Sequence, residues 1–173
     1  SLRLEITATT DAPTLWNAAN HSYWNLDGSA DWSGHALQIA ADHWLATDTL
    51  DRPTGEILPT AGSAMDFRSL RPITPGQPPL DNCFALSRDR VALREVACLQ
   101  GQSGVTLRLA TTEPGLQVYD ARAARRPGGQ PYEGIALETQ GWPDAPSHAQ
   151  FPAIVLRPGQ PCRQVTEWRF ARP

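Results

Sequence analysis

A chain of 173 residues with 40% apolar residues, 16 prolines and 13 glycines has the length of one domain, residues 1–173, burying roughly two-thirds of its unfolded surface, and so many turn formers argue against long helices. A net charge of −3 with no basic run leaves no electrostatic footprint for nucleic acid or an anionic membrane, and the exclusive use of arginine for all 15 basic residues reads as a coding bias. Cys83, Cys98 and Cys162 form no CxxC pair and leave one unmatched, as in a reducing compartment, while no apolar run approaches the ~20 residues of a bilayer span or a signal-peptide core, so a cytoplasmic location is expected.

In chain order, Leu2, Leu4, Ile6 and Ala8 alternate with Arg3, Glu5 and Thr7, the period of a half-buried strand. Residues 14–19 and 36–40 are further strand candidates. Residues 42–65 and 69–80 read as long loops, with at most one helical turn following Asp66-Phe67-Arg68; loops of that length usually carry function or lean on another part of the protein. Val105, Leu107 and Leu109 alternate again, and residues 116–120, 134–139, 153–156 and 164–170 complete the set, each bounded by Pro, Gly, Asp or Ser. No window of a dozen residues holds a 3.6 period, and no repeat or linker divides the chain. The expected fold is all-β, an antiparallel sandwich.

Two stretches carry the chemistry. Asn20-His21-Ser22-Tyr23-Trp24-Asn25-Leu26-Asp27-Gly28 places an imidazole among aromatic and amide groups at a strand end, the furnishing of a sugar site. Histidine titrates near neutrality and can give or take a proton, although a core histidine bonded to a backbone carbonyl would look the same. In Gly134-Ile135-Ala136-Leu137-Glu138, a carboxylate closes an apolar run. Partial desolvation there would raise its pKa toward that of a useful base; an ordinary exposed strand-end glutamate is the alternative. Asp81, beside Pro78, Pro79 and Leu80, reads by itself as a turn cap. Trp24 and Trp142 each lie within four residues of a candidate catalytic group, where a ring face could stack on a sugar. GxSxG, P-loop, GxGxxG, HxxxH and HExxH patterns are all missing, and His35 with His43 is a weak basis for a metal.

These segments, in this order, resemble the aldose 1-epimerase (galactose mutarotase) family. The likeness extends through residues 47–56, Met65-Asp66-Phe67-Arg68, Leu80-Asp81-Asn82-Cys83-Phe84, Thr112-Glu113-Pro114-Gly115-Leu116-Gln117-Val118-Tyr119, and the closing Phe151-Pro152-Ala153 and Thr166-Glu167-Trp168-Arg169-Phe170. It therefore covers nearly the whole chain, and matches the family's C-terminal half. It implies a galactose mutarotase-like supersandwich of roughly twice this length, incomplete here, which interconverts the α and β anomers of free hexoses such as galactose or glucose without metal or organic cofactor. Glu138 would be the base at O1 and His21 the acid at O5, with Asp81 and Gln117 bonding the sugar hydroxyls.

Three departures accompany the likeness. The family brings a second histidine and an arginine from its N-terminal half, so the chain is expected to work with that missing segment, or to hide its incomplete sheets by self-association, and to be feebly active alone. Asn82 stands where the family usually has histidine, and Asp120-Ala121-Arg122 follows Tyr119 where it commonly shows Gly-Asn. A non-catalytic carbohydrate-binding or structural remnant of the same fold is the alternative function.

Overall fold

The computed structural model describes residues 1–124 and 126–173. Two six-stranded antiparallel sheets face one another. The first runs, in spatial order, β1 (Leu2–Ala8), β14 (Cys162–Ala171), β10 (Thr106–Thr111), β9 (Arg94–Gln100), β4 (Ala36–Ile39) and β7 (Arg71–Pro72). The second runs β3 (Tyr23–Trp24), β12 (Ile135–Gln140), β11 (Gly115–Tyr119), β8 (Asp81–Ala85), β5 (His43–Thr47) and β6 (Pro53–Pro59). A two-stranded ribbon of β2 (Thr14–Leu15) and β13 (Val155–Leu156) stands apart from both. The fold is an antiparallel β-sandwich, and among the described residues no helix is long and apolar enough to cross a membrane.

Because side chains alternate across a strand, residue parity decides what each face carries. Leu37, Ile39, Leu99, Leu107, Leu109 and Trp168 of the first sheet meet Phe84, Leu116, Val118, Ile135 and Leu137 of the second, and none is more than 1% exposed. Each such side chain contributes about 1.5–3 kcal/mol by leaving water. At one end of the interior the sheets are tied by polar groups. The Thr139 and Thr166 hydroxyls lie 2.5 Å apart, and Gln164 donates to the carbonyls of Thr139 and Ala18, both at 3.0 Å.

Several sequence expectations give way. The presumed loop 42–65 contains β5 and β6, and 69–80 contains β7. The strands β8 and β9 were not expected, because they are buried on both faces over most of their length and therefore show no alternation. Only two residues each of 14–19 and 153–156 are strand. No helical turn follows Asp66: that carboxylate grips the Arg68 side chain at 2.9 Å while Phe67 turns into the core, 1% exposed. The helical turn lies instead at Ala145–Ser147, a 3₁₀ turn with Pro146 inside it.

Candidate active site

The outer face of the second sheet is divided in two. Its β5–β6 half presents Leu45, Ile57, Cys83 and Ala85, and these are covered by Trp142, Ala145, Phe151 and Ile154 from the segment after β12. The cover fits closely because β11 starts with glycine. A Cβ on Gly115 would meet the Cys83 sulfur at 2.9 Å and Cδ1 of Trp142 at 3.1 Å. The other half is left uncovered, and by the pairings Tyr23↔Ala136, Tyr119↔Ala136, Gln117↔Glu138 and Tyr119↔Asp81 it displays Tyr23, Tyr119, Gln117, Glu138 and Asp81 side by side.

His21 reaches this face from the irregular segment before β3. That segment is pinned to the end of β12 by Asn17, whose side chain accepts from Gly141 N at 2.7 Å and donates to Gly141 O at 3.2 Å. His21 Nε2 then lies 3.3 Å from Glu138 Oε1, with its own side chain half exposed and that of Glu138 only 10% exposed. The carboxylate sits in the floor of the site and the imidazole at its mouth. Burial pushes the Glu138 carboxyl above its ordinary pKa; His21 opposes that rise and Asp81 adds to it. Tyr23 flanks the imidazole at 5.0 Å between ring centroids, and Tyr119 stands 6.5 Å away edge-on.

Asp81 and Gln117 form a second pair. Gln117 Nε2 donates to Asp81 Oδ1 at 2.8 Å, while Gln117 Oε1 is buried with no partner among the described residues. An unanswered buried acceptor costs about 1–3 kcal/mol, and a ligand hydroxyl would answer it. Burial raises the Asp81 pKa; the Gln117 hydrogen bond and the nearby Arg122 guanidinium pull it down.

The structure thus brings His21, Glu138, Asp81 and Gln117 onto one face, and it leaves no gap between the imidazole of His21 and the carboxylate of Glu138. At 3.3 Å the two groups are in direct contact. Neither tryptophan floors the site. Trp24 has the opposite parity from Tyr23 and packs inward on Trp168 and Phe170, with centroids 6.2 and 5.6 Å away. Trp142 is 2% exposed, and its indole N–H donates to Pro114 O at 3.0 Å. Asn82 also faces inward, donating to the Thr47 hydroxyl at 3.2 Å, so the departure at this position does not touch the site face. Sequence reasoning named Tyr23, Tyr119 and Arg122 within its motifs and departures but gave none of them a place on this face. The two-residue spacing of Gln117 and Tyr119 was the available signal for one of them.

A cleft of about 780 Å³ adjoins the site beyond Tyr23, lined also by Asn25, Arg126, Gln130 and Glu133. It contains neither His21 nor Glu138. Its carboxylate is already engaged, by Arg126 Nε at 2.8 Å and Gln130 N at 3.0 Å. The His21–Glu138 contact therefore lies on the open sheet face, outside this cleft.

The family model described as aldose 1-epimerase matches residues 1–169. Galactose mutarotase of Rattus norvegicus is 36% identical over 171 residues, covering 90% of this chain and 49% of that protein. Aldose 1-epimerase of Escherichia coli K12 is 33% identical over 189 residues, covering 97% and 55%. Among solved structures, the GalM/aldose epimerase homologue from C. elegans superposes with a TM-score of 0.89 at 27% identity, covering 98% of this chain and 55% of that one. Galactose 1-epimerase from Lactobacillus acidophilus NCFM gives 0.77 at 26% identity, covering 98% and 53%. The chain spans about half the length of the curated relatives it matches.

Proposed function

Because this chain belongs to the aldose 1-epimerase family, we propose that its outer sheet face catalyses the interconversion of α and β anomers of a free hexose, galactose or glucose being the first to test. The observation that carries this reading is the contact of His21 with Glu138 on the same face as the Asp81–Gln117 pair. Ring opening needs one proton to leave the anomeric hydroxyl and another to reach the ring oxygen. Those two oxygens are bonded to the same carbon, so the groups that serve them must be neighbours.

In the proposed cycle the sugar lies across the pair and separates it. Glu138 takes the proton from O1 while the imidazolium of His21 gives one to O5, the C1–O5 bond breaks, and an open-chain aldehyde forms. Rotation about C1–C2 presents the other face of the carbonyl. The O5 hydroxyl then attacks C1, returning its proton to His21 as Glu138 protonates O1, so both groups end as they began. Positioned acid–base groups of this kind are each worth about 10²–10⁴ in rate. Asp81 would accept from sugar hydroxyls and the free oxygen of Gln117 would accept another. Tyr23, 44% exposed beside His21, has the apolar ring face first sought in Trp24.

Polarimetry of freshly dissolved α-D-galactose or α-D-glucose is the direct test. Sugar binding without acceleration of the optical change, both by the chain alone and after mixing with a segment that supplies the other half of the sandwich, would return the chain to the non-catalytic alternative. The proposal extends to residues 1–173 acting as one unit in a cytoplasmic setting, which the three free cysteines suit, and to cooperation with a further segment or a second copy, since the relatives it matches are twice as long.

Two outcomes follow from the geometry. Asp81→Ala is expected to raise KM about 10- to 100-fold with kcat within about threefold, since it deletes a charged acceptor that holds the sugar and moves no proton; an unchanged KM would remove Asp81 from the sugar contacts. The pH profile gives the second. The base must be ionised and burial raises its pKa above the ordinary 4.5, so kcat/KM should fall on the acid side along a limb centred above that value. A limb at or below 4.5 would exclude Glu138.

A further inference from the structure

The turn after β11 carries a strained residue and an arginine that the acid–base reading does not use. Ala121 has φ +63, a left-handed conformation that costs an L-residue roughly 1–2 kcal/mol and persists only where neighbours impose it. Here they do. The buried Asp120 carboxylate accepts from Leu80 N at 3.1 Å and from Arg122 N at 2.9 Å, and the Ala121 carbonyl accepts from Tyr132 N at 3.1 Å. The kink turns Arg122 back over the sheet. Its Nη1 donates to Leu80 O at 3.0 Å and its Nη2 to Asp51 Oδ2 at 2.9 Å, while the guanidinium lies 5.8 Å from the centre of the Tyr119 ring. Asp51 is held out to it by a turn in which Asp48 binds Arg52 at 2.8 Å.

Toward the site, Arg122 Nη2 stops 3.9 Å short of Asp81 Oδ2. That is too long for a hydrogen bond, and the second hydrogen on Nη2 is not taken by Asp51. A hydroxyl oxygen placed at ~2.8 Å from both atoms would accept from the arginine and donate to the carboxylate. We propose that Arg122 binds substrate directly, sharing one hydroxyl of the hexose with Asp81, and so sets which sugars this chain prefers. The inference rests on the sugar-binding face proposed above. Arg122 is surrounded by Asp51, Asp81 and Asp120, which leaves little positive charge for a phosphate and favours a neutral hydroxyl.

Binding is the readout, so the test does not depend on turnover. Dissociation constants of galactose, glucose and their monodeoxy analogues are measured by calorimetry for the 173-residue chain and for Arg122→Ala and Arg122→Gln, with folding checked by circular dichroism. Loss of a hydrogen bond to a charged group should weaken galactose or glucose about 10- to 100-fold in Arg122→Ala. One monodeoxy analogue should be weakened by a similar factor in the unmodified chain and by little further in the variant, because residue and hydroxyl act on the same bond. Arg122→Gln keeps a donor and the packing, and should retain part of the discrimination. An unchanged constant in both variants, or a loss equal for every analogue, would overturn the role of Arg122 while leaving the sugar site standing. An unmodified chain that binds no hexose would overturn the site reading and this inference with it.

Discussion

Glu138→Gln is expected to slow anomer interconversion about 10²–10⁴-fold while sugar affinity stays within about tenfold. Glutamine has the same shape and keeps an acceptor in the floor of the site, but it cannot take a proton from O1. The same substitution should leave the fold at least as stable at neutral pH. The folded-state pKa of Glu138 lies above its ordinary value because burial penalises the charged form. A carboxyl with a raised pKa contributes stability below its unfolded pKa, and that contribution is lost as pH rises through the folded value. At pH 7 the ionised group is therefore a cost, which the neutral amide removes. Urea midpoints should be equal or higher for the variant at pH 7, and should converge as pH falls. Polarimetry supplies the other half, and an unchanged kcat would take Glu138 out of the base role.

Phe84→Ala should remove about 3–5 kcal/mol of stability, the cost of a phenyl-sized cavity in a packed interior. Phe84 is fully buried in β8, near the middle of the second sheet, and meets Phe67 edge-on at 5.9 Å between centroids. Asp81, three residues earlier in the same strand, faces the other way, so the two substitutions separate fold from function across one sheet. A urea midpoint shift equivalent to less than about 1 kcal/mol would contradict the tight interior described for Phe84.

How much of this was legible beforehand depended on residue type and on face. His21 and Glu138, which the fold brings to 3.3 Å, could be singled out because an imidazole among amides and a carboxylate ending an apolar run are uncommon company for either. Strands such as β1 and β10 were readable because one side of each is apolar and the other is not. By contrast β8 and β9, apolar on both faces over much of their length, carry no period to read, and the true strands β5 and β6 were hidden inside a presumed loop.

Residue types alone therefore determined which reactive groups this protein owns and that its strands must form a sandwich. Which groups meet was decided only by tertiary pairing. Tyr23 and Trp24 are adjacent and both aromatic, and nothing local says which ring faces the site; the pairing of Tyr23 with Ala136 turns tyrosine outward and buries tryptophan against Trp168. Trp142 is taken from the site by the bare backbone of Gly115, and Arg122 is delivered to it by the kink at Ala121. The physical reason is the two-residue period of a strand: shifting a pairing by one residue exchanges the two faces, and the partner that sets the pairing lies more than a hundred residues away in the chain.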